Sequence, residues 1–204
     1  MCIDLNSLNP FRKKQIEVKS GDSESPPILS SENIQEVKLP EPEPTMTYQS
    51  GINLIKQFES FEPEAYPDPL SGNLPITIGY GSTKDLNNQP FKLGDKITAQ
   101  QAEDLLNHQV LTKFIPKLQK IPYWNQMNEQ MQGSLLSFAY NLGADFFDSD
   151  GFNTITKALK EKRWKDVPMA MLLYVNPGTN VTAGLMRRRK AEGALWENGL
   201  NRLA

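Results

Sequence analysis

From residue 98 onwards, apolar side chains recur every three or four residues, which is the pattern of amphipathic helices. Thr98 and Gln101 form a capping box, in which each side chain accepts a hydrogen bond from the other residue's backbone N–H. Pro116 is expected to stop or kink the helix that follows this box. Altogether, the predicted helices of this half cover residues 98–116, 128–143, 153–160, 164–174 and 182 onwards.

The stretch before residue 98 has a mixed pattern. Ser50 is expected to cap a helix with Ile52, Ile55 and Phe58 on its apolar side. The residues that follow are rich in Gly, Pro, Asn and Asp and include the β-branched run 76–78, which predicts a small antiparallel sheet. A small sheet lobe followed by a larger helical lobe is typical of the α+β class, and a polymer-binding groove is expected between the two lobes.

The first 48 residues differ in composition from the rest. They contain six of the 15 prolines, one aromatic side chain (Phe11) before Tyr48, and a net charge of −3 from five basic and eight acidic residues. Such a stretch has too few apolar groups to offset the entropy lost on ordering. Residues 1–48 are therefore predicted to be a disordered, proline-rich arm, and residues 49–204 a single domain.

Charge and composition exclude several classes of function. Residues 49–204 carry 17 basic and 16 acidic side chains, so nucleic acid is not the expected partner. Cys2 is the only cysteine, which excludes an internal disulfide and fits synthesis in the reducing cytoplasm. No signal peptide and no apolar run suited to a membrane anchor is found. His108 has no ligand-spaced partners, so neither a metal nor another cofactor is expected, and the chain is expected to be a monomer.

Two carboxylates near the start of the domain are candidates for acid–base chemistry. Glu59 stands between Phe58 and Phe61, which are expected to exclude water and favour the neutral acid that a proton donor needs. Asp68 follows in a proline-rich turn, where water keeps a carboxylate ionised. Glycosidases require such a pair, because one carboxyl group donates a proton while the other stays charged.

The same segment resembles the catalytic segment of phage-type lysozymes, glycoside hydrolase family 24. The resemblance consists of Glu59, Asp68 nine residues later, and the run Thr77-Ile78-Gly79-Tyr80-Gly81. It implies a lysozyme-like fold with Glu59 as the acid, Asp68 as its partner and Thr77 as the hydroxyl beside the attacking water. Two features differ from the family's usual pattern: Ser60 replaces a glycine, and residues 71–75 lengthen the turn before Thr77.

Two later stretches extend the resemblance over residues 50–198. The run ending in Tyr140-Asn141-Leu142-Gly143 is similar to the helix end that borders the family's cleft, which makes Tyr140 and Asn141 candidates for substrate contact. Tyr80 is a candidate sugar-stacking platform. Residues 184–192 resemble the family's closing Gly-Leu-x-x-Arg-Arg-x-x-Glu helix. Within the basic run 187–190, one arginine is expected to turn inward towards a carboxylate near the first helix.

The resemblance implies a muramidase that cleaves the β-1,4 bond between N-acetylmuramic acid and N-acetylglucosamine in peptidoglycan. The expected partner is the glycan strand, and the expected place of action is the cell wall, after release from the cytoplasm. Two alternatives stay open at this point. A lytic transglycosylase needs no second carboxylate, which Asp68 argues against, and the substitution of Ser60 allows a catalytically inactive wall-binding module. The stereochemical outcome is open as well.

Overall fold

The computed structural model describes residues 47–67 and 72–203. Residues 1–46 of the predicted arm and the candidate Asp68 lie outside the described residues. Tyr48, which the prediction counted with the arm, belongs to the core: it is buried and its ring lies 6.5 Å from that of Trp124. The packed domain therefore already includes Tyr48.

The described residues confirm the predicted α+β architecture, with a two-stranded sheet near the start and helices after it. Strands β1 and β2 are antiparallel, with Tyr66 opposite Thr77 and Glu62 opposite Gly79. In chain order, the elements are α1 (Gln49–Phe58), β1 (Glu62–Pro67), β2 (Ile76–Gly79), α2 (Ala99–Gln109), α3 (Ile115–Leu118), α4 (Glu129–Leu142), α5 (Asn153–Lys160), α6 (Val167–Met171) and α7 (Thr182–Asn201).

Several predicted helix ends are confirmed by their capping contacts. Thr98 and Gln101 form the capping box of α2. Asn128 caps α4 by accepting a hydrogen bond from the backbone N–H of Met131, and Gly143 ends that helix with a φ of 106°. A positive φ is the conformation in which glycine is favoured over other residues. These boundaries depend on neighbours along the chain, which explains why the sequence reveals them.

The predicted cap of α1 is wrong. Helix α1 begins after Tyr48, and Ser50 lies inside its first turn without capping it. Instead, the backbone N–H of Ser50 donates to Oε1 of Glu129 at 2.7 Å. One of the free N–H groups at the start of α1 is thus satisfied by a carboxylate from α4, which also suits the positive end of the helix dipole.

Pro116 neither stops nor breaks the helix in which it lies. Residues Val110–Phe114 form a π-helical turn that joins α2 directly to α3. The N–H of Ile115 bonds to the carbonyl of Val110, five residues back. Proline has no N–H for the ordinary bond to residue 112, and its ring crowds that carbonyl. A locally widened turn relieves both problems, and the helix continues to Leu118.

Helix α4 is the centre of the helical lobe. Nine successive residues, Met131 to Ala139, are buried, so this helix is enclosed on all sides. It packs against both α1 and α7. The contact with α1 is unusually close, because a Cβ atom added to Gly51 would lie 2.7 Å from the Cα atom of Gly133. The two helices therefore touch backbone to backbone at this pair of glycines.

The sheet has a small core of its own. Ala65, Ile76 and Ile78 are buried together, and Phe91 and Ile97 pack against them. A larger cluster fills the helical lobe and includes residues of α1. Helix α1 therefore belongs to the helical lobe, although it precedes the sheet in the chain, and its C-terminal end points to the junction of the two lobes.

We predict that removal of residues 1–46 leaves the domain intact. The described core begins at Tyr48, and the composition of the arm argues against apolar packing on the domain. A change that removes no core contact alters stability by about 0.5 kcal/mol, which corresponds to a shift of about 2 °C in the thermal midpoint. Differential scanning fluorimetry of the full chain and of residues 47–204 measures this directly. A fall many times larger would show that the arm packs on the domain.

Candidate active site

Glu59 lies at the C-terminal end of α1, at the junction between the lobes. Its backbone N–H bonds to the carbonyl of Ile55 at 2.8 Å, which fixes the start of the side chain. The side chain is 30% exposed, and its Oε1 accepts a hydrogen bond of 2.6 Å from Nη1 of Arg188. A carboxylate at this end of a helix faces the negative end of the helix dipole, and the guanidinium group offsets that unfavourable field.

The enclosure of Glu59 by Phe58 and Phe61 stays a prediction, and both rings have further partners. The ring of Phe58 lies beneath the guanidinium group of Arg188, 5.7 Å from its centre, and the ring of Phe61 packs against that of Tyr80. The carboxyl group therefore has an ion-pair partner that itself stacks on Phe58, and Phe58 lines the same cleft as Glu59.

Arg188 is itself held by α4 and α7. Its Nε donates to Oε1 of Glu192 at 3.2 Å, and its Nη2 donates to the carbonyl of Ser137 at 3.2 Å. Its side chain is only 5% exposed. The guanidinium group thus has three acceptors in fixed positions, of which the carboxyl group of Glu59 is the one that faces the cleft.

Glu192 is the centre of a buried polar network. Its side chain is fully buried, and it accepts hydrogen bonds from Arg188, from Nη1 of Arg189 and from Oγ of Ser137. Burial raises the pKa of Glu192, and both guanidinium groups act in the opposite direction. Burial also lowers the pKa of Arg189. Arginine nevertheless stays charged at neutral pH. The buried guanidinium group of Arg189 therefore needs the carboxylate of Glu192 as its counter-ion, and the carboxylate needs the guanidinium group.

The inward-facing arginine predicted for the run 187–190 is found, but there are two of them. Arg188 and Arg189 are buried, whereas Arg187 and Lys190 are exposed. Arg188 reaches the carboxylate near α1, as expected. Arg189 turns towards α4, where its Nη2 donates to Oδ1 of Asn141. Successive side chains of a helix point about 100° apart. Arg188 can therefore face Glu59 while Arg189 faces α4, and both are buried.

Asn141 and Tyr140 lie at the same junction. Asn141 lines the cleft beside Glu59 and is oriented by Arg189. The hydroxyl group of Tyr140 donates to the carbonyl of Tyr80 at 2.7 Å, which ties α4 to the sheet lobe. Burial raises the pKa of Tyr140, so this phenol remains a donor at neutral pH. Contact with substrate stays a prediction for both residues.

Tyr80 and Thr77 belong to the sheet lobe. The ring of Tyr80 is buried against that of Phe61, which removes the exposed face that sugar stacking requires. Thr77 is half-buried on β2, and its Oγ1 donates to the carbonyl of Pro75 at 3.4 Å. Pro67, the last described residue before Asp68, pairs with Ile76, the neighbour of Thr77. The roles of Asp68 and Thr77 stay predictions.

The cleft at Glu59 has a volume of about 480 Å³. Its polar lining includes Glu59, Asn141, Asn180, Arg187 and Arg188. Asn180 and Arg187 were not anticipated from the sequence, because nothing in their local pattern marks them. Thr77 is not part of this lining in the described structure. Within residues 47–67 and 72–203, no group of three acidic, histidine or cysteine side chains is placed to hold a metal ion, and no helix is both long and apolar enough to cross a bilayer.

A small sheet, a helical lobe enclosing one central helix, and a carboxyl group at their junction define a lysozyme-like domain. The family model described as phage lysozyme matches residues 56–192. The chain belongs to the phage lysozyme family, as the resemblance of its catalytic segment implied.

Similar proteins agree with this assignment. The endolysin of Bacillus phage PZA is 34% identical over 152 residues; the match covers 74% of this chain but only 55% of that endolysin. A solved endolysin from Escherichia coli O157:H7 phage FAHEc1 is similar with a TM-score of 0.59 and 29% identity, covering 76% of this chain and 94% of the other. The muramidase domain of SpmX from Asticaccaulis excentricus gives a TM-score of 0.55 and 27% identity, covering 72% and 95%.

We predict that Arg188→Ala and Lys190→Ala differ strongly in activity. Arg188→Ala removes the only cation hydrogen-bonded to Glu59 among the described residues. Hydrogen bonds to charged groups contribute about 1.5–3 kcal/mol, so turnover should fall about 10- to 100-fold. Lys190→Ala, at an exposed position of the same basic run outside the cleft lining, should stay close to the parent. Initial rates of lysis, measured after circular dichroism has confirmed that both variants fold, check this; equal small effects would show that Arg188 does not orient Glu59.

Proposed function

We propose that this domain is a muramidase, which hydrolyses the β-1,4 bond between N-acetylmuramic acid and N-acetylglucosamine in peptidoglycan. The observation that carries the proposal is the carboxyl group of Glu59, placed in an open cleft lined by the end of α1, by α4 and by the start of α7, and hydrogen-bonded by Arg188 in a phage lysozyme fold. Glycoside hydrolysis requires a carboxyl group of this kind beside the scissile bond.

In the proposed reaction, Glu59 protonates the glycosidic oxygen as the bond to the leaving sugar breaks. Arg188 engages Oε1, so in the described structure Oε2 is the oxygen available to deliver the proton. Arg188 also keeps the carboxyl group from rotating, so the carboxyl group is held in an orientation suited to proton transfer.

Asp68 and Thr77 are assigned by the resemblance to the opposite face of the sugar. There, Asp68 activates the attacking water or stabilises the oxocarbenium-like transition state, and Thr77 hydrogen-bonds the water. The separation of the two carboxyl groups decides between inversion and retention. No cofactor takes part in this chemistry.

The proposed partner is the glycan strand, and the proposed place of action is the bacterial cell wall after release from the cytoplasm. The similarity to proteins named endolysins supports this. The domain is proposed to act as a monomer, because one chain supplies the acid, the arginine that orients it and the walls of the cleft.

The test is mass spectrometry of the fragments released from purified sacculi. Hydrolysis adds water across the bond and leaves a reducing N-acetylmuramic acid at the new end. A lytic transglycosylase leaves a 1,6-anhydro end instead, which is lighter by one water. Release of reducing ends is the expected result. Anhydro ends, or no released product despite binding to sacculi, would overturn the assignment.

A further inference from the structure

Helix α6 and the turn that closes it are apolar on the side that faces solvent as well as on the side that faces the core. In residues 167–175, the hydroxyl group of Tyr174 is the only polar side-chain group. The outward side chains of Met169 and Leu173 are 69% and 60% exposed. The inward side chains are buried in the core, namely Val167, Ala170 and Met171. A helix that is apolar all round is normally enclosed, so the outer side of α6 is a candidate binding surface.

The outer side of α6 continues into a groove between α6 and α7 with a volume of about 170 Å³. Gly193 keeps the two helices close at this groove, because a Cβ atom added there would lie 3.3 Å from the Cβ atom of Pro168. The apolar lining of the groove consists of Pro168, Met169, Leu172, Gly193 and Ala194. We call the side chains of Met169, Leu172 and Leu173 together with this groove the apolar face.

Unpaired lysines lie beside the apolar face. Lys190 lines the groove, and Lys165 lies in the turn that leads into α6. Among the described residues, no carboxylate lies within 4 Å of either ammonium group. Asp166, the neighbour of Lys165, is paired with Arg163. The carboxylate of Glu197 also lines the groove, so two lysines without an ion-pair partner stand against one such carboxylate.

Apolar side chains rimmed by lysines suit the surface of a membrane that contains anionic lipids. Such side chains enter between the acyl chains, while the ammonium groups stay at the level of the lipid phosphates. A second copy of this chain suits the same face less well. A symmetric dimer places the same patch of both copies in one interface, which would bring four lysines together with two copies of Glu197. The charge of the face therefore favours an anionic membrane surface.

We propose that the apolar face binds the surface of an anionic phospholipid bilayer. Met169, Leu172 and Leu173 enter the bilayer surface, and Lys165 and Lys190 lie beside the lipid phosphates. This interaction goes beyond the proposed muramidase function, which requires no lipid. None of these five residues lines the catalytic cleft, so lipid binding and wall hydrolysis can be measured separately.

The charge requirement is tested by co-sedimentation of the full chain with vesicles. One set contains phosphatidylcholine alone, and the other contains equal parts of phosphatidylcholine and phosphatidylglycerol. Each lysine beside an anionic membrane strengthens binding by about fivefold, so the parent should prefer the anionic vesicles by about 10- to 30-fold. Lys165→Gln/Lys190→Gln should lose most of this preference. Lys120→Gln/Lys157→Gln, which removes two exposed lysines elsewhere, should keep it.

The apolar requirement is tested with Met169→Gln/Leu173→Gln. This variant should bind the anionic vesicles at least about tenfold more weakly, because the apolar groups that enter the lipid are lost. The matched control is Leu93→Gln/Leu111→Gln, which makes the same kind of change at side chains that are 64% and 58% exposed elsewhere and should bind like the parent. Circular dichroism establishes that both variants fold. Both should hydrolyse purified sacculi, which contain no lipid, at the parent rate.

A fluorescent label shows which face meets the membrane. In a Cys2→Ser chain, which has no other cysteine, an environment-sensitive dye is attached to Leu173→Cys or, as the control, to Leu93→Cys. Anionic vesicles should shift the emission to shorter wavelength at position 173 and leave position 93 unchanged. An equal shift at both positions, or a shift at position 93 alone, would refute the apolar face as the contact.

Other outcomes overturn the proposal as clearly. Failure of the parent to bind anionic vesicles would refute it, and so would an equal loss of binding in the Leu93→Gln/Leu111→Gln control. A parent that is dimeric in analytical ultracentrifugation, binds no vesicles and becomes monomeric on Met169→Gln/Leu173→Gln would make the face an interface between copies instead. A parent that binds vesicles but does not hydrolyse sacculi would refute the muramidase function and leave the membrane surface supported.

Discussion

Glu59→Gln should lower the rate of wall lysis by about 10²–10⁴-fold, the usual contribution of a general acid, while binding to the wall persists. The amide has nearly the shape of the carboxyl group and can still accept a hydrogen bond from Nη1 of Arg188. It has no proton of suitable acidity to give to the leaving oxygen. The loss should therefore appear in kcat, because the substitution removes an interaction made in the transition state.

The chain provides two matched controls for this prediction. Glu62 and Glu64 lie on β1 only a few residues away, and both are exposed. Glu64 forms a surface ion pair with Lys96, which contributes little to stability. Glu62→Gln and Glu64→Gln should lyse outer-membrane-stripped cells at nearly the parent rate in a turbidity assay. Lysis by Glu59→Gln at the parent rate, or a greater loss at either control position, would refute Glu59 as the acid.

Glu192→Gln should cost about 3–5 kcal/mol of unfolding free energy, because it removes the carboxylate that is bonded to the fully buried Arg189. Arg189 would keep its charge and its bond to Asn141 but lose its counter-ion. For a domain of this size, the cost corresponds to a fall of about 6–20 °C in the thermal midpoint. Urea unfolding followed by circular dichroism gives the free energy directly.

Glu197→Gln is the matched control, since it makes the same change at an exposed position of α7 and should alter stability by less than about 0.5 kcal/mol. A double-mutant cycle separates pairing from packing: Arg189→Met with Glu192→Leu should cost less than the sum of the two single changes. Additive losses, or a loss below about 1 kcal/mol for Glu192→Gln, would show that the buried pair is not a coupled unit.

Those features of the fold that depend on nearby residues could be predicted from the sequence. The capping box at Thr98, the cap at Asn128 and the glycine that ends α4 are all local signals, and each helix boundary they mark is confirmed. The start of α1 could not be predicted, because its cap comes from Glu129, 79 residues beyond Ser50. The effect of Pro116 was not predicted either, since the helix continues past the proline through one widened turn.

The candidate site also combines features that the sequence predicts with features that it does not. Glu59 is marked by its motif, and an inward arginine by its position in a basic run, but the ion pair joins residues 129 positions apart. The burial of Glu192 had no signal in the pattern, because a glutamate four residues after an arginine is usually a surface pair. The spacing of Arg188, Arg189 and Glu192 is the feature that reveals the network once α7 is known to pack on α4.

The glycine contact with α4 fixes the position of α1 at Gly51. Glu59 lies eight residues further on, about 12 Å along the helix axis. A side chain at position 51 would collide with the backbone of Gly133, so the helix would have to tilt, and its far end would move more than the point of contact. Alanine is a better helix former than glycine by about 1 kcal/mol, yet at this position a more stable helix would move Glu59 away from its place beside Arg188.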